Sequence, residues 1–136
     1  MDLEKIFKNF IIADLIFIVI FILNEFFYQS EEVSTISDQL SFGIFDSETG
    51  ALLGFGFFVI LLILYFISLF LLYRFISFGK PLFTFVIIAI LLVSIFSGPT
   101  ISTALGGVID SIEYLIEGAI LTFLYFTPIK DKFKSQ

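Results

Sequence analysis

From Ala51 to Tyr73 the chain runs through 23 residues, ALLGFGFFVILLILYFISLFLLY, without one charged side chain. A helix needs about 20 mainly apolar residues to cross a hydrocarbon core of roughly 30 Å, and ~17 to 25 are tolerated. The β-branched and aromatic residues in this run would suit a strand in water. In lipid a lone strand leaves its N–H and C=O groups without partners, so an apolar run of this length has to be a helix. Three further runs meet the same criterion: Phe10–Tyr28, interrupted by Asp14, Asn24 and Glu25; Pro81–Ser97; and Val108–Thr127. The expected fold is all-α and polytopic, a single domain over residues 1–136. Its four transmembrane helices fall at about 10–28, 51–73, 81–97 and 108–127, packed as an up-down bundle.

Composition agrees: 59% of the residues are hydrophobic and the mean hydropathy is +1.11, against about 45–50% apolar residues in a soluble domain. The net charge of −6 hides an uneven distribution. The seven cations are Lys5, Lys8, Arg74, Lys80, Lys130, Lys132 and Lys134. They lie before the first run, between the second and third, and after the fourth. The segment Gln29–Gly50 holds Glu31, Glu32, Asp38, Asp46 and Glu48 and no cation. Lysine and arginine mark the cytoplasmic side, so both termini are expected inside, in the cytoplasmic (inner) membrane of a bacterium. The acidic loop 29–50 and the short Gly98–Gly107 loop would face outward. The first run does not read as a cleaved signal peptide, because its flank Asp2-Leu3-Glu4-Lys5 is mixed in charge and no small-x-small site follows it.

Helix ends are marked more faintly. Asp46 or Ser47 could cap the second helix. Pro99 should end the third, and Thr100 or Ser102 could cap the turn after it. The tail Pro128–Gln136, with three lysines around Phe133, reads as an interfacial stop.

Three carboxylates interrupt the fourth run. Asp110, Glu113 and Glu117 are spaced by three and four residues and so share one helix face. Glu117 lies about 15 Å from the cytoplasmic edge at ~1.5 Å per residue, near mid-membrane. No cation is expected at that depth. It is then protonated and hydrogen-bonded to a Ser, Thr or Tyr in the bundle, or it sits in a wet outward vestibule with Glu113, or it binds a cation or a partner's basic side chain. Intramembrane acids are functional candidates by default, which makes Glu117, Glu113 and Asp14 the candidate functional acids. Asp14 reads as a boundary residue about one turn inside the membrane, within reach of Lys5, Lys8 or Lys80. If it faces the interior instead, it and Glu117 mark two depths of one path. Asp110, and Asn24 with Glu25 at the outer margin, are expected to be wet. About 100° round the fourth helix from the acids lies a face of small residues, Gly107, Ser111, Gly118 and Thr122. With Gly50 and Gly54 at the start of the second helix, these are the candidate packing positions, since small residues allow close helix contact.

With no Cys and no His, disulfides, thiolate metal sites, cysteine nucleophiles and the usual neutral-pH base are excluded. No phosphate loop, zinc set or serine triad is present. No metal, cofactor or nucleic-acid partner is indicated.

The basic turn YRFISFGKPLF, the break SGP and the ending EGAILTFLYFTPIKDKF resemble those of uncharacterised small four-helix inner-membrane proteins of bacteria. The resemblance covers about the last 65 residues and implies no activity. By architecture alone the chain also resembles membrane immunity proteins against pore-forming toxins. The expected function is that of a non-enzymatic integral membrane protein acting through helix–helix contacts, as an accessory, inhibitory or immunity-type subunit. Its partners would be the lipid bilayer and a second copy or another membrane protein. The alternative is a small proton- or cation-linked transporter or channel that uses Glu117.

Overall fold

The computed structural model describes residues 2–27, 48–96 and 103–133. It is all-α, with no strand among the described residues. Four long helices, α1 (Leu3–Phe27), α2 (Glu48–Tyr73), α3 (Gly79–Phe96) and α4 (Ala104–Phe126), precede a single turn, α5 (Ile129–Lys132). Of these, α1 and α2 are long and apolar enough to cross a membrane, and α3 carries a shorter apolar segment.

Every long helix begins earlier than its apolar run, for local reasons. Asp2 Oδ1 accepts from the backbone N–H of Glu4 (3.1 Å) and Lys5 (3.4 Å), which caps α1 and draws Leu3–Asn9 into it. Pro81 sits inside the first turn of α3, where its missing N–H has no intrahelical acceptor to lose. The cap of α4 is Thr103, whose Oγ1 accepts from Gly106 N at 3.0 Å; Thr100 and Ser102 lie outside the described residues. Asp46, Ser47, Pro99 and the acidic loop also lie outside them.

Packing pairs α1 with α4 and α2 with α3, while α1 also touches α2 and α5 folds back on α4. Each helix turns one stripe inward at three- and four-residue spacing: Phe7, Ile11, Asp14 and Ile18 on α1; Leu61, Tyr65, Ser68 and Leu72 on α2; Ile109, Ile116, Ile120 and Leu124 on α4. From α3, Phe83, Val86 and Ile87 join Phe7, Ile11, Ile18, Tyr65, Leu72, Ile116, Ile120 and Leu124 in one core.

The basic ends gather into an aromatic closure. Phe7, fully buried, lies 5.8 Å from the ring of Phe75, 5.9 Å from Phe123 and 6.2 Å from Phe133. The described part of the tail docks on the bundle, with Ile129 and Phe133 buried against the helix ends. Glu4 ties the rim by accepting from Lys8 at 2.9 Å and from Lys132 of α5. Phe75 forms the turn out of α2 with φ 56°, as the left-handed residue of a Schellman cap. Its N–H donates to Leu72 O at 3.0 Å, and the N–H of Ile76 donates to Leu71 O at 2.9 Å. The turn brings Gly79 so close to α2 that a Cβ there would stand 2.8 Å from Leu71 Cβ and 2.9 Å from Leu72 N.

Candidate functional site

Tyr65 lies inside the uncharged run and its hydroxyl is the hub of the only buried polar cluster among the described residues that joins three helices. It donates to Asp14 Oδ2 of α1 at 2.7 Å and stands 3.0 Å from Glu117 Oε1 of α4. The inward stripes produce this meeting. Asp14 follows Ile11 by one turn and Phe7 by two, Tyr65 follows Leu61, and Glu117 adjoins Ile116, so each polar group takes a core position.

Depths counted from the basic ends agree. Asp14 is 11 residues from the start of α1, Tyr65 is 8 from the end of α2 and Glu117 is 9 from the end of α4. At ~1.5 Å per residue these correspond to about 16, 12 and 14 Å. Asp14 and Glu117 thus lie at one level of the bundle, both at the hydroxyl of Tyr65. Asp14 is completely buried, and its partner is Tyr65 and not a lysine. Lys8 lies over the Phe75 ring at 5.2 Å, and Lys80 lies over Tyr125 at 4.2 Å.

The chemistry of the hub follows from counting hydrogens. A phenol carries one donor hydrogen, and its oxygen also accepts. Two bare carboxylates would compete for that hydrogen. If Glu117 carries a proton and gives it to the phenol oxygen, both contacts become good hydrogen bonds, and Asp14 is the terminal anion. The shorter contact, to Asp14, suits a charged acceptor. The triad is then a chain, Glu117 to Tyr65 to Asp14, able to hold one proton and pass it on. Asp14 Oδ1 is buried without a hydrogen-bond partner, so this chain ends on an unsatisfied acceptor.

Beside Glu117 opens a cavity of about 430 Å³. Tyr65 and Glu117 line it at one level, and Glu113, Asp110 and Tyr114 continue the wall toward the start of α4, about 10 Å away along the helix. Ser94 and apolar side chains of α1, α2 and α3 complete it. Asp110 and Glu113 are half-buried rather than fully wet, and Asn24 is buried, with its Oδ1 unpartnered. The side chain of Glu25 lies outside the described residues. In the opposite direction, toward the basic ends, the rings of Phe7, Phe10 and Phe123 follow.

The candidate packing residues are not brought together in the core. Ser111, Gly118 and Thr122 are exposed on α4, Gly107 and Gly54 are half-buried, and a Cβ on Gly118 would meet nothing within 4 Å. Gly50, at the start of α2, is also half-buried. The Ser111 and Thr122 hydroxyls donate back to Gly107 O (2.7 Å) and Gly118 O (2.8 Å), so this face shows a smooth, self-satisfied surface. Sequence reasoning offered a hydroxyl partner for Glu117 as one alternative but did not single out Tyr65. Its signal was a single hydroxyl ring on the inward stripe of an otherwise uncharged helix.

Compared with protein-family models, curated proteins and solved structures, the chain matches none.

Proposed function

We propose that the chain is a small proton- or cation-linked transporter or channel of the bacterial inner membrane, working through the relay Glu117–Tyr65–Asp14. In this reading all four long helices span the bilayer as an up-down bundle, with both ends cytoplasmic. The inverted surface supports a membrane location: of the spans in α1 and α2 only 22% and 28% is buried, unlike the core helix of a soluble protein. Phe55, Leu52, Leu115 and Phe126 are each two-thirds or more exposed.

The observation that carries the functional reading is Tyr65 bridging two buried carboxyls from different helices. Buried acids without a cation are costly, and a leucine at each position would pack the same seam. A chain of three groups that can hold and hand on a proton gives them a use, and the cavity along Glu113 and Asp110 gives it an entrance. The test is proton flux into proteoliposomes under an imposed potential. Wild-type protein should conduct, and Glu117→Gln and Tyr65→Phe should fall to the lipid background. No flux under any gradient, with Glu117→Gln fully functional in cells, would sink the reading.

The exposed small-residue face of α4 favours a second role, as a non-enzymatic helix-contact subunit. Gly118 and Thr122 would allow a second copy or a partner helix to approach closely. Stable co-purification lost in Gly118→Leu, with bilayer conductance unaltered by the wild-type protein, would favour that role over transport.

A further inference from the structure

The cavity beside Glu117 differs from a path for small ions. At about 430 Å³ it falls in the range of small-molecule sites, roughly 300–1,000 Å³. Three carboxyls, Asp110, Glu113 and Glu117, descend one wall, and no lysine or arginine lines it. Phe21, Phe58 and Leu62 also line the cavity, with the rings of Tyr65 and Tyr114. Glu117 is only 9% exposed, and Tyr65 is its one hydrogen-bond partner among the described residues. One carboxyl oxygen is therefore taken by the phenol, and the other has no hydrogen-bond donor at the cavity wall.

These features select a ligand class. The acids follow one another along the helix instead of converging. Among the described residues no group of three or more His, Cys, Asp or Glu could hold a metal ion. A small hydrated cation would also leave the aromatic lining without a role. A cation that carries its own apolar groups uses both kinds of lining, because ring faces attract positive charge and the apolar side chains take the hydrocarbon. We propose that this cavity binds a lipophilic organic cation, an amine or quaternary onium, with its charge toward Glu117 and Glu113 and its apolar groups against Phe58 and Leu62.

The inference rests on the transport reading and names what shares Glu117 with the proton. The cation needs the carboxylate, so binding displaces the proton of Glu117. That proton leaves along Glu113 and Asp110. One positive charge enters as one leaves, an exchange that needs no other reactant.

The probe is tetraphenylphosphonium, with tetraphenylborate as an anion of the same shape, titrated calorimetrically into the purified full chain in nanodiscs of neutral lipid. Tetraphenylphosphonium should bind saturably and tetraphenylborate should not. Glu117→Gln should weaken binding about tenfold or more, as expected for loss of a charged contact in an apolar site. Leu62→Trp adds bulk at an apolar lining position, leaves the three acids in the sequence, and should abolish binding while the protein still elutes as wild type does. Equal binding of both ions, no saturable binding, or wild-type affinity in both Glu117→Gln and Leu62→Trp overturns the proposal. Proton flux measured on the same preparation separates the two readings. Flux without tetraphenylphosphonium binding removes this ligand and leaves the relay, and binding without flux removes the relay and leaves the ligand.

Discussion

Tyr65 shows how much one hydroxyl can carry in an apolar seam. Its oxygen serves Asp14 and Glu117 at once, and Asp14 already has one oxygen without a partner. In Tyr65→Phe the ring still packs on Phe83, 5.7 Å away, but Asp14 loses its one hydrogen bond among the described residues. Leaving a buried acceptor unsatisfied costs about 1–3 kcal/mol, so the melting temperature in detergent should drop clearly. In the double variant Tyr65→Phe, Asp14→Leu both polar partners are gone, and part of that loss should return. Strictly additive losses would show that the two side chains are not energetically coupled. The two acids were legible in the sequence because a charge inside an apolar run stands out without any neighbour. Tyr65 was not, because in a run of phenylalanines it reads as one more ring. Its role depends on contacts 51 and 52 residues away that no local pattern encodes.

The helices themselves were legible from apolar length, but their ends were not, since ends are set by single side chains and by docking. Asp2 and Thr103 extend α1 and α4 beyond their apolar runs, and burial of Ile129 and Phe133 turns the lysine-rich tail into a docked turn. Phe75 is the sharpest case. A left-handed conformation costs a non-glycine residue about 1–2 kcal/mol, yet here the ring is held by Phe7 and by Phe133 at 5.4 Å, with Lys8 and Lys132 above it. Both Phe75→Gly and Phe75→Ala lose those contacts, but only glycine relieves the backbone. The glycine variant should therefore be the more stable of the two by about 1 kcal/mol. The reverse order in thermal melts would mean that the turn is not strained. The docking of α5 also carries a pH dependence. Glu4 sits in the first turn of α1, ahead of the apolar run, and Lys132, then Lys8, hold its carboxyl below the usual range. A depressed carboxyl stabilises the fold above its ordinary range, and the contribution is lost as pH falls through the folded value. Amide protection over residues 129–133, corrected for intrinsic exchange, should decline below about pH 4. Lys132→Gln should show less protection at neutral pH and little further change on acidification.

At the scale of the molecule the polar triad divides two unlike halves. On one side the cavity runs past Glu113 to Asp110; on the other the space below Asp14 is filled by Phe7 and the rings around it. Such an arrangement opens Glu117 toward the cavity and closes Asp14 off behind the rings. The absence of cysteine from the sequence makes this asymmetry directly measurable, because any thiol introduced is the only one present. Glu113→Cys places it on the cavity wall, and Ile11→Cys places it one turn from Asp14 on the ring side, where the native residue is 4% exposed. On the proposed topology, a membrane-impermeant maleimide added outside intact cells should label Glu113→Cys and leave Ile11→Cys unreacted. The same reagent on inverted vesicles should label neither quickly, since the aromatic closure stands between Ile11 and the cytoplasmic face. Phe7→Ala removes the central ring and costs about 3–5 kcal/mol of stability, so it should open Ile11→Cys to labelling from the vesicle side. Equal labelling of both positions from both sides would mean that the rings form no closure and that the triad is not held between an open and a shut half.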